Sequence, residues 1–311
     1  MAFKIISYLF LCCLCGLLAC QQPAARLHKV VLLPDYPSGS ALEFHNNELL
    51  LMGDDATWLL KLDTALAVKD SLLILENAGR RLSKATKPDL EAMTTVQMQG
   101  RQRVLLLGSG SADSLRSVAW LLGEDGKDQM DLRIFYNRLK EAGIRDLNIE
   151  GMTAYQGGMI LASRGNKGFR KNFLVFTGKD FFARQDSVEF DITSVGLNTD
   201  TAFFSGISGA DYAAKSDKLL LTVSTENTYD SYTDGSIGKS YLWIINDISR
   251  KKFTHINPDR IIELDALDVR FVGHKIETVA VIAETRKELE LVLAADDDQG
   301  QTLLFRLTLK K

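Results

Sequence analysis

From residue 28 onward the apolar residues fall into short runs parted by small, polar or acidic turns, and the runs recur in a fixed order. Each copy opens with Leu or Ile, usually then Glu, and continues into two apolar strands. Leu42-Glu43-Phe44 leads into 49–55 and 58–63; Leu90-Glu91-Ala92-Met93 leads into 104–111 and 117–122. Ile149-Glu150-Gly151-Met152 leads into 159–166 and 173–177, and Ile207-Ser208-Gly209-Ala210 into 219–227 and 241–247. Ile276-Glu277-Thr278-Val279 leads into 289–298 and 303–309. The second residues of the five copies stand 48, 59, 58 and 69 residues apart, long enough for four strands and their loops. Runs at 69–75, 186–192 and 260–265 supply fourth strands. The fifth copy stops after its third strand, while a strand at 28–34 stands unassigned at the other end. Pairing the two closes a ring and removes its exposed edges. The pattern predicts an all-β chain: a single β-propeller closed by its terminal strands, with five blades, or six if residues 178–205 hold more than an outer strand.

One segment breaks the two-residue rhythm. In 131–143, Ile134, Phe135, Leu139 and Ala142 fit a helical stripe that Gly143 ends, so a short helix is expected near 133–142, between the second and third blades.

Propeller geometry turns the repeat into a site prediction. Entry to each innermost strand lies at the same end of the ring as the loop between the second and third strands. Glu43, Glu91, Glu150 and Glu277 should therefore share a face with Asp54, Asp55, Ser109, Arg164, Asn166, Glu226, Asn227 and 296–298, while Ser208 takes the Glu position in the fourth copy. Carboxylates clustered with amide oxygens suit a hard cation, so Glu43, Glu91, Glu150, Glu277, Asp54 and Asp296 form a candidate metal set, Ca2+ being the cofactor they would take. Glu150, Arg164 and Asn166, with Glu43, Glu91 and Glu277, are the candidate ligand-binding residues. Arg164, near Lys167 and Arg170, would grip an anion. The competing account is that each Glu accepts backbone hydrogen bonds from the next blade and locks the ring. The polar run 229–238 reads equally as a ligand lid or a solvated turn.

The first residues carry a different message. Lys4 precedes an almost wholly apolar stretch, 5–19, too short to span a bilayer comfortably, which ends at Leu17-Leu18-Ala19-Cys20. That is the pattern of a bacterial lipobox: a signal peptide over 1–19, lipidation on Cys20, a tether to about 27, and the propeller over 28–311. Gln21 after the cysteine favours the outer membrane, an extracytoplasmic and lipid-anchored location. Cys12, Cys13, Cys15 and Cys20 are the four cysteines, so cleavage leaves no disulfide, thiol nucleophile or cysteine metal site. Basic and acidic residues number 37 and 40 and are interspersed, which argues against a nucleic-acid partner. GSGS at 108–111 lacks a P-loop lysine, no G-x-S-x-G is present, and His28, His45, His255 and His274 are scattered.

At 148–152 (NIEGM) and 163–166 (SRGN) the chain resembles the esterase-like phytase propellers, and more closely an uncharacterised group of bacterial propeller lipoproteins with the same helix-then-NIEG arrangement. The resemblance spans most of 28–311. It implies phosphoester hydrolysis, with a bound cation, and carries over Glu150 and Arg164. Two functions stay open: an envelope propeller that binds a ligand, glycan or protein at its central face, and a metal-assisted phosphoester hydrolase.

Overall fold

A computed structural model describes residues 24–76, 79–98, 100–111, 115–197, 204–230, 237–251, 254–296 and 300–311. The expected leader and Cys20 lie outside them. Four-stranded antiparallel units follow one another along the chain. Blade one comprises β2 (Gly39–His45), β3 (Glu48–Gly53), β4 (Trp58–Leu62) and β5 (Val68–Leu73), after the N-terminal strand β1 (Ala25–Leu33). Blade two holds β6 (Leu90–Met98), β7 (Arg101–Gly108), β8 (Val118–Gly123) and β9 (Gly126–Asp131). Blade three holds β10 (Ile149–Tyr155), β11 (Gly158–Ser163), β12 (Asn172–Gly178) and β13 (Phe190–Val195). Blade four holds β14 (Phe204–Ala213), β15 (Lys218–Glu226), β16 (Ile237–Asn246) and, after the two-residue β17 (His255–Ile256), β18 (Arg260–Glu263). Blade five holds β19 (Lys275–Glu284), β20 (Glu288–Asp296) and β21 (Thr302–Lys310), completed by β1.

β1 pairs antiparallel with β21 from Ala25↔Leu309 to Leu33↔Thr302, which closes the ring as the terminal runs predict. The strand starts three residues ahead of the expected boundary at 28, so residues 25–27 belong to the propeller and not to a tether. Thr302, fully buried, ties the seam between blades five and one: its hydroxyl donates to the Tyr36 carbonyl at 3.0 Å and accepts from the Gly39 N–H at 2.8 Å. The five innermost strands meet in cyclic order β2–β6–β10–β14–β19–β2. The structure has five blades. Among its described residues the segment 178–205 holds no sixth: β17 instead adds to β13 as a short parallel fifth strand.

Apolar side chains between neighbouring blades form the core, one cluster for each pair or group of sheet faces. The buried apolar set is mainly aliphatic, with Trp243, Tyr136, Phe135, Phe181, Phe271 and Phe305 as its largest fully buried side chains. The predicted helix is present as α1 (Arg133–Glu141), with Gly143 at φ 117° just past its end. Its buried face differs from the expected stripe. Phe135, Tyr136 and Leu139 are buried, whereas Ile134 is 58 % exposed and Ala142 is exposed. The reason is local: Phe135 packs against Phe181 in a tilted pair (4.8 Å), and the Tyr136 hydroxyl donates to the Gly108 carbonyl at 2.6 Å, so both aromatics turn inward. The outer strand of blade two is β9, a polar run (GKDQMD) ahead of the helix that apolar patterning does not reveal.

Candidate functional site

Strand register corrects the alignment of the repeat. In every innermost strand the pairing skips one residue near the start, a β-bulge: Ser40, Glu91, Glu150, Ser208 and Glu277. Ser40, not Glu43, is the equivalent in blade one. The dipeptide Leu42-Glu43 imitates Leu90-Glu91 but falls three residues late. A bulge leaves its residue unpaired and re-aims its side chain: Ser40, Glu91, Glu150 and Glu277 face the central pocket, while Ser208 donates to the Ile276 carbonyl of blade five at 2.6 Å.

The correction splits the predicted face in two. Glu91, Glu150 and Glu277 line a central cavity of about 280 Å³ at the bulged end, with Asp54, Asp55, Arg164, Asn166, Glu226 and Asp296 from the loops between second and third strands or their borders. Glu43 lies at the opposite end of the ring, where it shares a second cavity of about 360 Å³ with Asp211. It does not belong to the metal set. Asp297 and Asp298 lie outside the described residues, as do 231–236 of the polar run.

At Glu43's level the ring-locking account holds. The position three residues after each bulge is Glu43, Thr94, Thr153, Asp211 and Ala280. Glu43 accepts the Thr95 N–H (3.0 Å), Thr94 the Ala154 N–H (3.3 Å), Thr153 the Tyr212 N–H (3.2 Å) and Asp211 the Val281 N–H (2.7 Å). Each side chain thus stitches its blade to the next, and the belt stops at Ala280, which has no acceptor. Burial, and then the Asp211 charge, pushes the Glu43 carboxyl up to about 8.

In the central cavity the charges are arranged in pairs, all largely buried except for the exposed Arg81. Arg164, 6 % exposed, puts Nη2 2.9 Å from Glu226 Oε2 and 3.2 Å from Ser224 Oγ, with Nη1 3.9 Å from Glu150 Oε2. It lies flat on Gly206: a Cβ there would stand 2.7 Å from Nε. Lys275 meets Glu277 at 2.9 Å and Glu226 at 3.5 Å. Lys87 bridges Asp54 and Asp89, the latter at 3.0 Å, and Arg116 reaches Asp89 at 2.7 Å. Arg81 closes on Asp55 at 2.5 Å. Asn166 is 4 % exposed; it donates to Asp146 and accepts the Phe169 N–H, and so shapes the loop beside the cavity. Arg164 is therefore engaged with Glu226 and Glu150, and the anion grip expected of it is not what its geometry provides.

The acids outnumber the cations in this lining, nine to six. Burial is the main cause of raised carboxyl pKa values: Asp54 goes to about 6 and Glu150 to about 7. Glu91 is driven well above the ordinary range, by burial first and then by the charges of Glu150, Asp54 and Asp89. Three buried carboxylate oxygens, Asp54 Oδ1, Asp55 Oδ1 and Glu277 Oε2, have no hydrogen-bond partner among the described residues. Asp54, Asp89 and Glu91 can each bring an oxygen within 4.8 Å of the other two, a spacing fit for a cation, but the Lys87 ammonium already contacts two of them.

Lys87, Asp89 and Lys275 escape a search for Leu-Glu dipeptides. Asp89, Asn148 and Lys275 stand two residues before Glu91, Glu150 and Glu277 and line the same cavity, a spacing that the sequence repeats.

The closed ring of five sheets with a polar pocket on its axis defines a β-propeller. The chain belongs to DUF6929, a family of unknown function whose model matches residues 35–309. No curated protein matches it. Among solved structures it is similar to a glutaminyl cyclase of Myxococcus xanthus, with 12% identity, a TM-score of 0.51, and 93% of this chain and 99% of that one covered. It is also similar to a catalytically inactive virginiamycin B lyase of Staphylococcus aureus with quinupristin, at 9% identity and a TM-score of 0.43, with 90% and 99% covered. At these identities the likeness concerns the fold.

Proposed function

We propose that this protein is an envelope-anchored binding propeller, held by lipid on Cys20 to the outer membrane, which captures a small cationic, hydrogen-bond-donating ligand in its central pocket. The observation that carries this reading is the surplus of acceptors: nine carboxylates against six cations, with Asp54, Asp55 and Glu277 each keeping a buried oxygen unsatisfied. A buried acceptor without a partner is costly, and a donor supplied by a ligand removes that cost. The cavity of about 280 Å³ has the volume of roughly nine waters in the liquid, enough for a compact amine such as an amino sugar.

Thermal unfolding of residues 21–311 with glucosamine and with N-acetylglucosamine tests the reading. The amine should raise the midpoint, by the equivalent of about 2.7 kcal/mol at a hundredfold excess over Kd, and the acetylated sugar should not. Equal shifts, or none with this and other small amines, remove the reading.

A second reading rests on the Asp54, Asp89 and Glu91 grouping, which could hold Ca2+ if Lys87 moved aside. It would restore the metal-assisted phosphoester hydrolase as a function. Its support is weaker, because Arg164, Lys275, Lys87 and Arg116 are committed to carboxylates rather than to an incoming phosphate. A calcium-dependent midpoint shift reversed by EDTA, with turnover of phosphomonoesters, is what it requires.

A further inference from the structure

The ring has two unlike ends, and β1 runs from one to the other. Leu33 pairs with Thr302 at the end that carries the central pocket, and Ala25 pairs with Leu309 at the opposite end. The chain therefore enters the propeller on the face away from the pocket.

Lysines and arginines cluster beside that entry, with Glu284 and the exposed Glu288 among them. The Lys310 N–H donates to the Ala24 carbonyl (3.0 Å) and the Lys311 N–H to the Lys287 carbonyl (2.9 Å), so the C-terminal residues and the β19–β20 turn flank the incoming strand. Arg286 and Lys287 in that turn are exposed. Between blades four and five a cleft of about 90 Å³ is lined by Lys218, Arg260, Lys310 and Lys311, with Asn246 and three apolar side chains; within it Lys218 donates to Asn246 and Arg260 to the Lys310 carbonyl at 2.7 Å, so neither meets a carboxylate there. The nearby Glu284 is met by Lys311 at 2.7 Å. The opposite end of the molecule presents the acidic pocket.

We propose that this basic rim is a membrane-docking surface which seats the phosphates of anionic phospholipid headgroups, so that the central pocket opens away from the bilayer toward soluble ligands. Charge complementarity selects the lipid surface: each cation near an anionic leaflet favours binding, while an acidic face is repelled. The orientation rests on the lipid anchor proposed above; the headgroup seat does not. From Cys20 to Ala25 the chain can span at most about 18 Å, so an anchored propeller must lie against the surface with its entry face.

Residues 21–311 contain the whole closed ring and are suited to a vesicle assay. They should partition onto vesicles of mixed phosphatidylglycerol and phosphatidylcholine and not onto phosphatidylcholine alone, less so as salt rises. Arg286→Gln with Lys287→Gln should lower that partition roughly tenfold or more, and Lys84→Gln on the pocket face should leave it unchanged. Equal binding to both vesicles, or equal losses from both faces, overturns the seat. For orientation, the lipidated full chain carries a fluorophore at Gln102→Cys, beside the entry-face turn after β6, or at Ser83→Cys, on the pocket face. Quencher-bearing lipids should dim the first several-fold more, and the reverse order overturns the proposal. Membrane retention of Cys20→Ala at the wild-type level would instead remove the anchor while leaving the vesicle result standing.

Discussion

Replacing Arg164 by Met keeps most of the side-chain volume and removes the charge on which two buried acids depend. Arg164 contacts Glu226 at 2.9 Å and approaches Glu150 at 3.9 Å, and all three side chains are less than a tenth exposed. Breaking a buried ion pair from one side costs about 3–5 kcal/mol, because the remaining charge stays buried. The loss must depend on pH. Burial already holds the Glu150 carboxyl at about 7 against an ordinary 4.5, even with the guanidinium beside it. A carboxyl whose folded pKa is raised contributes stability that is complete below its unfolded value and is lost as pH climbs through the folded one. Without Arg164 the folded value of Glu150, which the guanidinium lowers, rises further. The deficit of Arg164→Met should therefore be largest near pH ~8 and shrink toward pH ~5, where the Glu150 carboxyl binds a proton in the folded state. Urea unfolding at the two pH values, followed by tryptophan fluorescence, measures it. A deficit of the same size at both, or one under about 1 kcal/mol at the higher pH, would refute the view that Arg164 serves as a counter-charge.

Two further outcomes follow from the ring. Glu43, held at about 8 by burial and Asp211, should make the wild-type protein lose stability as pH rises from its unfolded value near 4.5 through about 8; Glu43→Gln, which keeps an acceptor for the Thr95 N–H, should flatten that slope in a pH series of unfolding curves, and an unchanged slope would contradict the assignment. Gly151→Ala places a Cβ 2.6 Å from the Ala210 nitrogen of the adjoining inner strand; the overpacking should cost about 1–3 kcal/mol in a denaturant titration, and a neutral result would mean that the blades can separate freely.

The glutamates show how far the repeat could be read in one dimension. Glu91, Glu150 and Glu277 were legible, because a Leu or Ile before Glu marks the start of an inner strand in three blades. Glu43 carries the same dipeptide and lies at the other end of the ring, since a bulge of one residue at Ser40 changes which residues point where. A bulge has no composition of its own. It is visible only when two strands are paired. Arg164 could be read as a cation placed to grip an anion, yet its partner Glu226 comes from blade four, sixty-two residues away, and Gly206 makes room for it.

By itself the sequence determined the class and the closure. Five copies of a strand pattern cannot bury their apolar faces singly, and an incomplete last copy with a spare first strand has one economical solution, a ring. It also determined the helix between blades two and three, through a change of period ended by Gly143. The tertiary structure decided the register of each inner strand, the burial of Tyr136 in place of Ile134, the polar strand β9, and the pairing of Lys87, Arg116, Arg164 and Lys275 with their acids. These depend on distances across blades, and side-chain charge acquires its meaning only where burial removes water and leaves each group with the neighbours that the ring supplies.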